Sequence, residues 1–350
     1  MAEVNKFKLA FYLIGSMLLI TFVFYSYQIC YTPNILIEEE DRAFVIRPGA
    51  TFATVQVQLY DNHFVNDMVS FSFLARLYGY DKAIKPGRYI LRKRMTNLQA
   101  LNILKAGQQE PVKITFSYVR LRNELVEKIT KNIGVQPSEL DDALDQFIAN
   151  NQAGFNKENI LCLFLPNTYE VYFNISPEEL VNRMNMEYKK FWTEERINKA
   201  KEAGLTPIEV SILASIVQAE SVKQDEAHVI AGLYINRLKK DIALQADPTL
   251  VYASGDFGLK RVLNGHKQID SPYNTYKHTG LPPGPINVPQ IASIDAVLNY
   301  QHHDYYYMCA KEDFSGYHNF ANSLDEHNRN ARKYQKALTA EMEKAQQKKK

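Results

Sequence analysis

A long uncharged stretch near the N-terminus is the feature that most constrains the fold. It extends from Leu9 to Cys30 and reads LAFYLIGSMLLITFVFYSYQIC. As an α-helix, these 22 residues span about 33 Å, which is enough to cross the hydrocarbon core of a bilayer. The stretch therefore predicts a single transmembrane helix at residues 9–30, and a buried helix of a soluble core is the less favoured alternative.

The charges on either side of this stretch predict its orientation. Lys6 and Lys8 precede it, and four acidic residues follow at 38–41. Basic residues favour the cytoplasmic side of a membrane, so residues 1–8 are predicted to be a cytoplasmic tail and the remaining chain to be exported. A cleaved signal peptide is the alternative, but the stretch ends in SYQIC and lacks a small-residue cleavage site.

Composition excludes several functional classes. Lys and Arg total 41 against 39 Asp and Glu, a net charge of +2, so no electrostatic argument favours a nucleic-acid partner. The chain has three cysteines and no CxxC pair, which excludes a disulfide-stapled scaffold and a cysteine zinc site.

The predicted exported body contains a small module, a middle segment and a larger C-terminal region. The predicted divisions are a linker at 31–42, an α+β module at 43–110, a middle segment at 111–200, a region at 201–340 that holds the candidate catalytic residues, and a basic tail at 341–350. Within the module we predict strands at 43–47 and 88–91 and a helix at 51–60. A second helix should begin at Thr96, which has capping-box spacing with Gln99, and end at Gly107. The middle segment should contain a strand at 112–118 and helices at 121–133 and 177–192.

One carboxylate stands at the end of an apolar helical stripe. Thr206, Pro207 and Glu209 predict a helix start with a capping box. Val210, Leu213, Val217 and Glu220 then share one face, so Glu220 should be partly desolvated. Desolvation raises a carboxyl pKa and suits a general acid. The alternative is that Glu220 ends the helix and turns into water.

A second helix is predicted from about residue 225 to 238, forming a hairpin with Glu220 near its turn. Beyond it, residues 244–252 and 273–276 are predicted loops rich in amide, hydroxyl and aromatic groups. Such a mixture suits carbohydrate, although ordinary turn chemistry also explains many of these residues.

Several motifs occur here in the order seen in one enzyme family. They are IVQAES at 216–221, LQADPTLVY at 244–252, YNTY at 273–276, GLPPGPI at 280–286 and a C-terminal stretch from Tyr305 through His318 to Asn328. The chain thereby resembles the endolytic murein transglycosylases of the MltG, or YceG-like, family. Residues 163–169 resemble a further family motif, F-P-D-T-Y. The sequence departs from the family pattern at Gln218, often a glutamate, and at Asn167, an aspartate in that motif.

The resemblance implies an α+β fold with a single N-terminal transmembrane helix, a LysM-like module at 43–110 and a mixed α/β catalytic region whose helical hairpin carries the catalytic glutamate. It implies that Glu220 is the acid and then the base that cleaves peptidoglycan glycan strands without water and leaves 1,6-anhydro ends. Weaker candidates for lining the glycan groove are Gln245, Asp247, Tyr252, Asn274, Tyr276, Asn319 and Asn328, with Asp247 also the rival acid. The implied location is the bacterial cytoplasmic membrane, with the catalytic region on its outer side.

Other functional classes remain as alternatives. A non-catalytic wall-binding protein would use the same anchor and module. A metallohydrolase is suggested by His302, His303, Asp304, His318 and His327, but no HExxH spacing is present, and we expect neither a metal nor another cofactor. An assembly protein that recruits cell-wall synthases is compatible with catalysis. Cys162 and Cys309 are predicted to be buried thiols, with a disulfide between them as the alternative.

Overall fold

The computed structural model describes residues 6–36, 41–220, 223–259 and 261–347. These residues form a mixed α/β structure in which helices predominate and every sheet has two strands. The helices are α1 Lys6–Tyr31, α2 Phe52–Asp61, α3 Met68–Leu77, α4 Asn97–Ala106, α5 Arg122–Thr130, α6 Pro137–Asn150, α7 Pro177–Phe191, α8 Glu194–Ala203, α9 Pro207–Glu220, α10 Ala227–Lys239, α11 Asp247–Ser254, α12 Ile291–Leu298 and α13 Leu324–Gln347. The strands are β1 Asp41–Ile46, β2 Gly87–Arg92, β3 Val112–Thr115, β4 Thr168–Val171, β5 Tyr307–Ala310 and β6 His318–Ala321.

The apolar stretch forms one helix, α1, that is long and apolar enough to cross a membrane. Its 26 residues have a mean hydropathy of 2.0 over the most apolar window, and none of them is buried. The side chains that point outward include large aliphatic and aromatic groups, such as Phe11, Leu18 and Phe22. A helix that is apolar on all sides and unburied is compatible with a single-pass membrane anchor.

The chain divides into two compact units. The first comprises Met1–Ile114, Thr130–Gln136 and Tyr169–Ser176, and the second comprises Thr115–Ile129, Pro137–Thr168 and Pro177–Lys350. The predicted linker falls partly on residues 37–40, which lie outside the described part of the chain.

The core of the first unit forms around the antiparallel pair β1 and β2. Phe44 lies opposite Tyr89, and both are buried together with residues of α2, α3 and α4. The predicted capping box is present, because Gln99 N–H donates to Thr96 Oγ1 and Thr96 N–H donates to Gln99 Oε1. Gly107 ends α4 in the left-handed conformation, as predicted. The structure adds α3, which local sequence patterns did not predict and which Asp67 caps.

The C-terminal end of α1 is tied to this core by buried amides. Asn97 Nδ2 donates to the Ile29 carbonyl oxygen at 3.0 Å, and Asn34 Nδ2 donates to Asn97 Oδ1 at 2.7 Å. Both asparagines are buried. Because buried amides strongly favour their hydrogen-bonded arrangement, these contacts fix how the end of α1 meets the first unit.

Two predictions about the elements beyond the first module were wrong. The strand predicted at 112–118 ends at Thr115, because Tyr118 has a φ of 48°, which an extended strand does not accommodate. The segment 244–252, predicted as a loop, contains the start of α11. Pro248 stands in its first turn and Gly255 ends it in the left-handed conformation, so Asp-Pro here begins a helix instead of forming a turn.

The core of the second unit surrounds α9. All eight residues from Val210 to Val217 are buried, so the helix has no solvated face over two turns. The sequence predicted that only one face of α9 is buried. The buried surface is larger than that, because α8, α10, α11 and α12 all contact α9. The helix α10 packs against it, and the connection between them includes a 3₁₀ turn at Gln224–Glu226 and residues 221–222, which are not described.

The helix α10 approaches the segment 301–305 closely at Gly232, and this contact predicts that a larger residue there would destabilise the fold. A Cβ on Gly232 would overlap the Gln301 carbonyl oxygen and lie 2.8 Å from His303 Nε2. Gly232→Ala should therefore lower the free energy of unfolding by about 1–3 kcal/mol, although alanine is intrinsically the better helix former. Chemical denaturation would measure the change.

Gly265→Ala is the matched control for that prediction. Gly265 has a φ of −60°, and a Cβ added to it would meet no other atom within 4 Å. Alanine should be neutral or slightly stabilising there. Equal behaviour of the two variants would contradict the close-packing argument.

Candidate active site

Glu220 stands at the C-terminal end of the buried helix α9. The start of this helix carries the predicted capping box, in which Thr206 N–H donates to Glu209 Oε2 at 2.7 Å and Glu209 N–H donates to Thr206 Oγ1 at 3.3 Å. Two turns of fully buried backbone separate this cap from Glu220. The carboxyl group is therefore presented by a rigid element, which suits a group that must be positioned for chemistry.

Glu220 is a half-buried residue, and its carboxyl group is hydrogen-bonded to one tyrosine. The Tyr234 hydroxyl of α10 donates to Glu220 Oε1 at 2.7 Å. Burial raises the pKa of Glu220 to about 7, the hydrogen bond from Tyr234 opposes the rise, and the negative charge of Asp247 adds to it. Near neutral pH the group thus exists in both protonation states, as a group that gives and then takes a proton requires.

Asp247 is held beside Glu220 by contacts at the start of α11. The Tyr276 hydroxyl donates to Asp247 Oδ1 at 2.6 Å. Behind it, the buried Thr275 hydroxyl accepts the Ala246 N–H at 3.0 Å and lies 2.8 Å from the Thr249 hydroxyl. This threonine pair joins the 273–276 loop to α11, so Asp247 and Tyr276 are positioned together.

Two cavities meet at Glu220 and Asp247, since both residues line each of them. Cavity A has a volume of about 530 Å³, and cavity B has a volume of about 390 Å³. Cavity A is lined by Tyr118, Arg120, Ala219, Glu220, Asp247, Pro248, Val251, Tyr252, Phe257, Leu259, Arg261, Val262, Ile286 and Asn287. Cavity B is lined by Glu220, Leu233, Tyr234, Arg237, Leu244, Gln245, Asp247, Tyr276, residues 306–310, His318, Leu324 and His327. An elongated ligand that occupied both cavities would place its middle at the two carboxyl groups.

The structure brings four of the seven weaker candidates to these cavities. Tyr252 lines cavity A, Gln245 and Tyr276 line cavity B, and Asp247 lines both. Gln245 has a φ of 53°, and its N–H donates to the Thr275 carbonyl oxygen at 2.9 Å.

The other three candidates lie outside the lining of both cavities. Asn274 is fully buried, and its side chain donates to the carbonyl oxygens of Lys267 and Ile269 while accepting the Tyr276 N–H. It therefore shapes the loop that carries Tyr276. Asn319 Nδ2 donates to Glu312 Oε2 at 2.8 Å, and Asn328 is half-buried on α13.

Sequence reasoning missed a buried acid–imidazole pair beside cavity B. Glu226 is 7% exposed; its Oε2 lies 2.9 Å from His318 Nδ1, and its Oε1 accepts the His318 N–H at 2.8 Å. The two residues are 92 positions apart, so no local pattern reveals the pair. It joins the turn that follows α9 to strand β6.

Arg237 is a second residue of cavity B that the sequence did not single out. It is 6% exposed, and its guanidinium group donates to the carbonyl oxygens of Tyr306, Ala243 and Leu244 at 2.6–2.9 Å. From sequence alone, an arginine within a helix is expected to face solvent, because most arginines are exposed. Here it holds the segments that form one wall of the cavity.

The departure from the family pattern at Gln218 has a structural explanation. Gln218 Nε2 donates to Asn287 Oδ1 at 3.1 Å, while its Oε1 accepts the Gln290 N–H at 2.6 Å. A glutamate could accept the second bond, but an ionised carboxylate could not donate the first. The amide thus joins α9 to the start of α12. At Asn167, the side chain is exposed and accepts the Thr168 N–H at 2.8 Å.

The histidines predicted as possible metal ligands make hydrogen bonds and ring contacts, and the two cysteines are free thiols. His303 Nε2 lies 2.9 Å from the Val229 carbonyl oxygen, and the ring of His327 stacks on Tyr307. Among the described residues, no three His, Cys, Asp or Glu side chains form a group that could hold a metal ion. Cys162 and Cys309 are free thiols, the first buried and the second half-buried.

Comparison with known proteins places the whole body of the chain in one family. A sequence model of the YceG-like family matches residues 44–333. An endolytic murein transglycosylase of Streptococcus pneumoniae D39 is 26% identical over 343 residues, which covers 88% of this chain and 61% of the relative. One of Bacillus subtilis 168 is 44% identical over 122 residues, or 35% of this chain and 33% of that protein. The chain therefore spans less than two thirds of the length of these relatives.

A solved structure agrees with the sequence comparison. The crystal structure of a yceG-like protein from Listeria monocytogenes is 26% identical to this chain and has a TM-score of 0.54. The match covers 83% of this chain and 99% of that one. The family model spans most of the first unit's core, the helix α9 and both cavities. On this evidence the chain belongs to the YceG-like family.

Proposed function

We propose that this protein is a membrane-anchored endolytic lytic transglycosylase that cleaves the bond between N-acetylmuramic acid and N-acetylglucosamine in peptidoglycan. The observation that carries the proposal is Glu220, whose pKa is raised to about 7 and which lies where two cavities meet. The names of the pneumococcal and Bacillus relatives support the same activity. A strand lying through both cavities would place one glycosidic bond at this carboxyl group.

In the proposed reaction, Glu220 gives its proton to the glycosidic oxygen as the bond from that oxygen to C1 breaks. The C6 hydroxyl of the muramoyl residue then bonds to C1, and its proton passes to the Glu220 carboxylate. The acid is regenerated, no water is consumed, and the product carries a 1,6-anhydro end. Tyr234 orients the carboxyl group through its 2.7 Å hydrogen bond, and the negative charge of Asp247 favours the positive charge that develops at C1.

Asp247 also supports a second candidate function, a hydrolase. Ordinary glycosidases use two carboxyl groups, and the structure places Asp247 close enough to Glu220 to raise its pKa. Tyr276 holds Asp247 in place through a 2.6 Å hydrogen bond. In a hydrolase, Asp247 would act as the base for a water molecule or as the nucleophile.

The products distinguish these functions. The full chain in detergent would be incubated with purified peptidoglycan strands, and the fragments analysed by mass spectrometry. Anhydro-ended fragments from within the strands are the expected result. Fragments heavier by one water molecule, with reducing ends, would identify a hydrolase. Strand binding without any cleavage would identify a non-catalytic wall-binding or assembly scaffold.

The remaining parts of the proposal concern location and partners. The helix α1 would anchor the protein in the bacterial cytoplasmic membrane, with Lys6 and Lys8 on the cytoplasmic side and the catalytic region outside. The first unit would contain the LysM-like module. An anchored enzyme of this kind would act on strands as they are made, ending their growth, and would work beside cell-wall synthases. Protease accessibility of the C-terminal region in spheroplasts would test the orientation.

A further inference from the structure

A third cavity lies between α6 and α7, on residues separate from those that line cavities A and B. Its volume is about 610 Å³, within the range of natural ligand sites. Ala143 and Val181 are buried beneath it, and Phe147 is half-buried in its wall. None of its lining residues takes part in the proposed chemistry at Glu220.

The lining of this cavity is unusually rich in amide side chains. Six of its twelve lining residues are Asn or Gln, and we call the cavity the amide groove. On α6, Gln146 and Asn150 share one helical face, and on α7, Asn182 and Asn185 do the same. The two faces meet across the groove, so that amides stand on both walls.

Four of these amides are available to a ligand. Within the described parts of the chain, the side chains of Gln146, Gln152, Asn182 and Asn185 have no hydrogen-bond partner. Asn151 differs, because its side chain bonds the carbonyl oxygens of Ile148 and Phe155 and thereby fixes the loop that carries Gln152. Each free amide offers two donors and an acceptor, the groups that match sugar hydroxyl and N-acetyl groups.

The charges and the aromatic ring narrow the class of ligand. The charged side chains that line the groove are Glu178 and Lys189, one of each sign, so the lining has no excess of positive charge that would favour an anionic membrane surface. It is too polar for an apolar helix, while Phe147 provides one apolar surface for the C–H face of a sugar ring. A hydroxyl-rich and amide-rich polymer fits this combination.

We propose that the amide groove is a second glycan-binding site, which holds a part of the peptidoglycan strand away from the cleaved bond. The identification of the glycan rests on the proposed function. A long strand would occupy both sites at once, and the second contact would then be intramolecular, so affinity should rise with strand length. A short oligosaccharide would occupy only one site.

The test uses the full-length Glu220→Gln protein in detergent, which would bind strands without cutting them. Affinity is measured for long uncrosslinked strands and for short N-acetylglucosamine oligosaccharides. Combining Gln146→Ala, Asn182→Ala and Asn185→Ala should weaken binding of long strands about tenfold or more, since several hydrogen bonds are lost. These side chains are exposed or half-buried, so the melting temperature should stay unchanged.

The control removes amides that lie elsewhere on the surface. Asn322→Ala with Gln335→Ala changes two exposed amides outside the groove and should leave binding unchanged. Equal affinity of the groove variant and this control for long strands would overturn the proposal.

A cleavage assay on the wild-type background separates this proposal from the proposed function. The groove variants should raise KM for long strands and leave kcat unchanged. An absence of cleavage in every protein would refute the proposed function, and the binding comparison would still decide whether the groove holds glycan. Unchanged KM for long strands would refute the second site alone.

Discussion

Glu220→Gln should abolish the formation of anhydro-ended fragments, lowering kcat by about 10³-fold or more. A positioned general acid contributes on the order of 10²–10⁴-fold, and in the proposed reaction the same group serves twice. Glutamine keeps the size of the side chain and can still accept the hydrogen bond from Tyr234. The loss would therefore report the missing proton rather than a collapsed site, and product yield by mass spectrometry would measure it.

Glu209→Gln is the matched control on the same helix. Glutamine serves in a capping box as well as glutamate, so the cap with Thr206 should persist and activity should be unchanged. Retained cleavage by Glu220→Gln would exclude this residue as the acid and transfer the role to Asp247, the other carboxyl group shared by the two cavities.

Local signals predicted much of the fold correctly. The capping boxes at Thr96 and Thr206 and the left-handed cap at Gly107 are short-range interactions, complete within four or five residues, so the sequence shows them directly. The long apolar helix is likewise a property of one continuous segment. Such features do not depend on what packs against them.

The surroundings of Glu220 depend on contacts that are distant in sequence. Periodicity placed Glu220 on an apolar face, but the burial of α9 on all sides comes from helices elsewhere in the chain. The pair of Glu226 and His318 and the buried Arg237 are invisible to local patterns for the same reason. The prediction of a loop at 244–252 was wrong for a different reason. Asp-Pro can begin either a turn or a helix, and packing against the rest of the chain decides between them.

These distant contacts also determine the protonation of Glu220, and they predict opposite pH shifts in two variants. In the proposed reaction the acid form of Glu220 is the active form in the free enzyme, so kcat/KM should fall as pH rises through about 7. Asp247→Asn removes a negative charge that raises the pKa of Glu220, so the fall should move to lower pH. Tyr234→Phe removes a hydrogen bond that lowers this pKa, so the fall should move to higher pH.

The measurement is kcat/KM across pH for the wild type and both variants, with Tyr307→Phe as the control. Tyr307 lines cavity B but is not among the groups that act on the pKa of Glu220, so its variant should keep the wild-type profile. Each unit of separation between the pKa values of the two variants changes their relative rates at alkaline pH tenfold. Shifts in the same direction, or a profile that moves equally in Tyr307→Phe, would contradict the assignment. Because loss of folding lowers rates at every pH without moving the midpoint, the direction of each shift tests the electrostatics of the site separately from its stability.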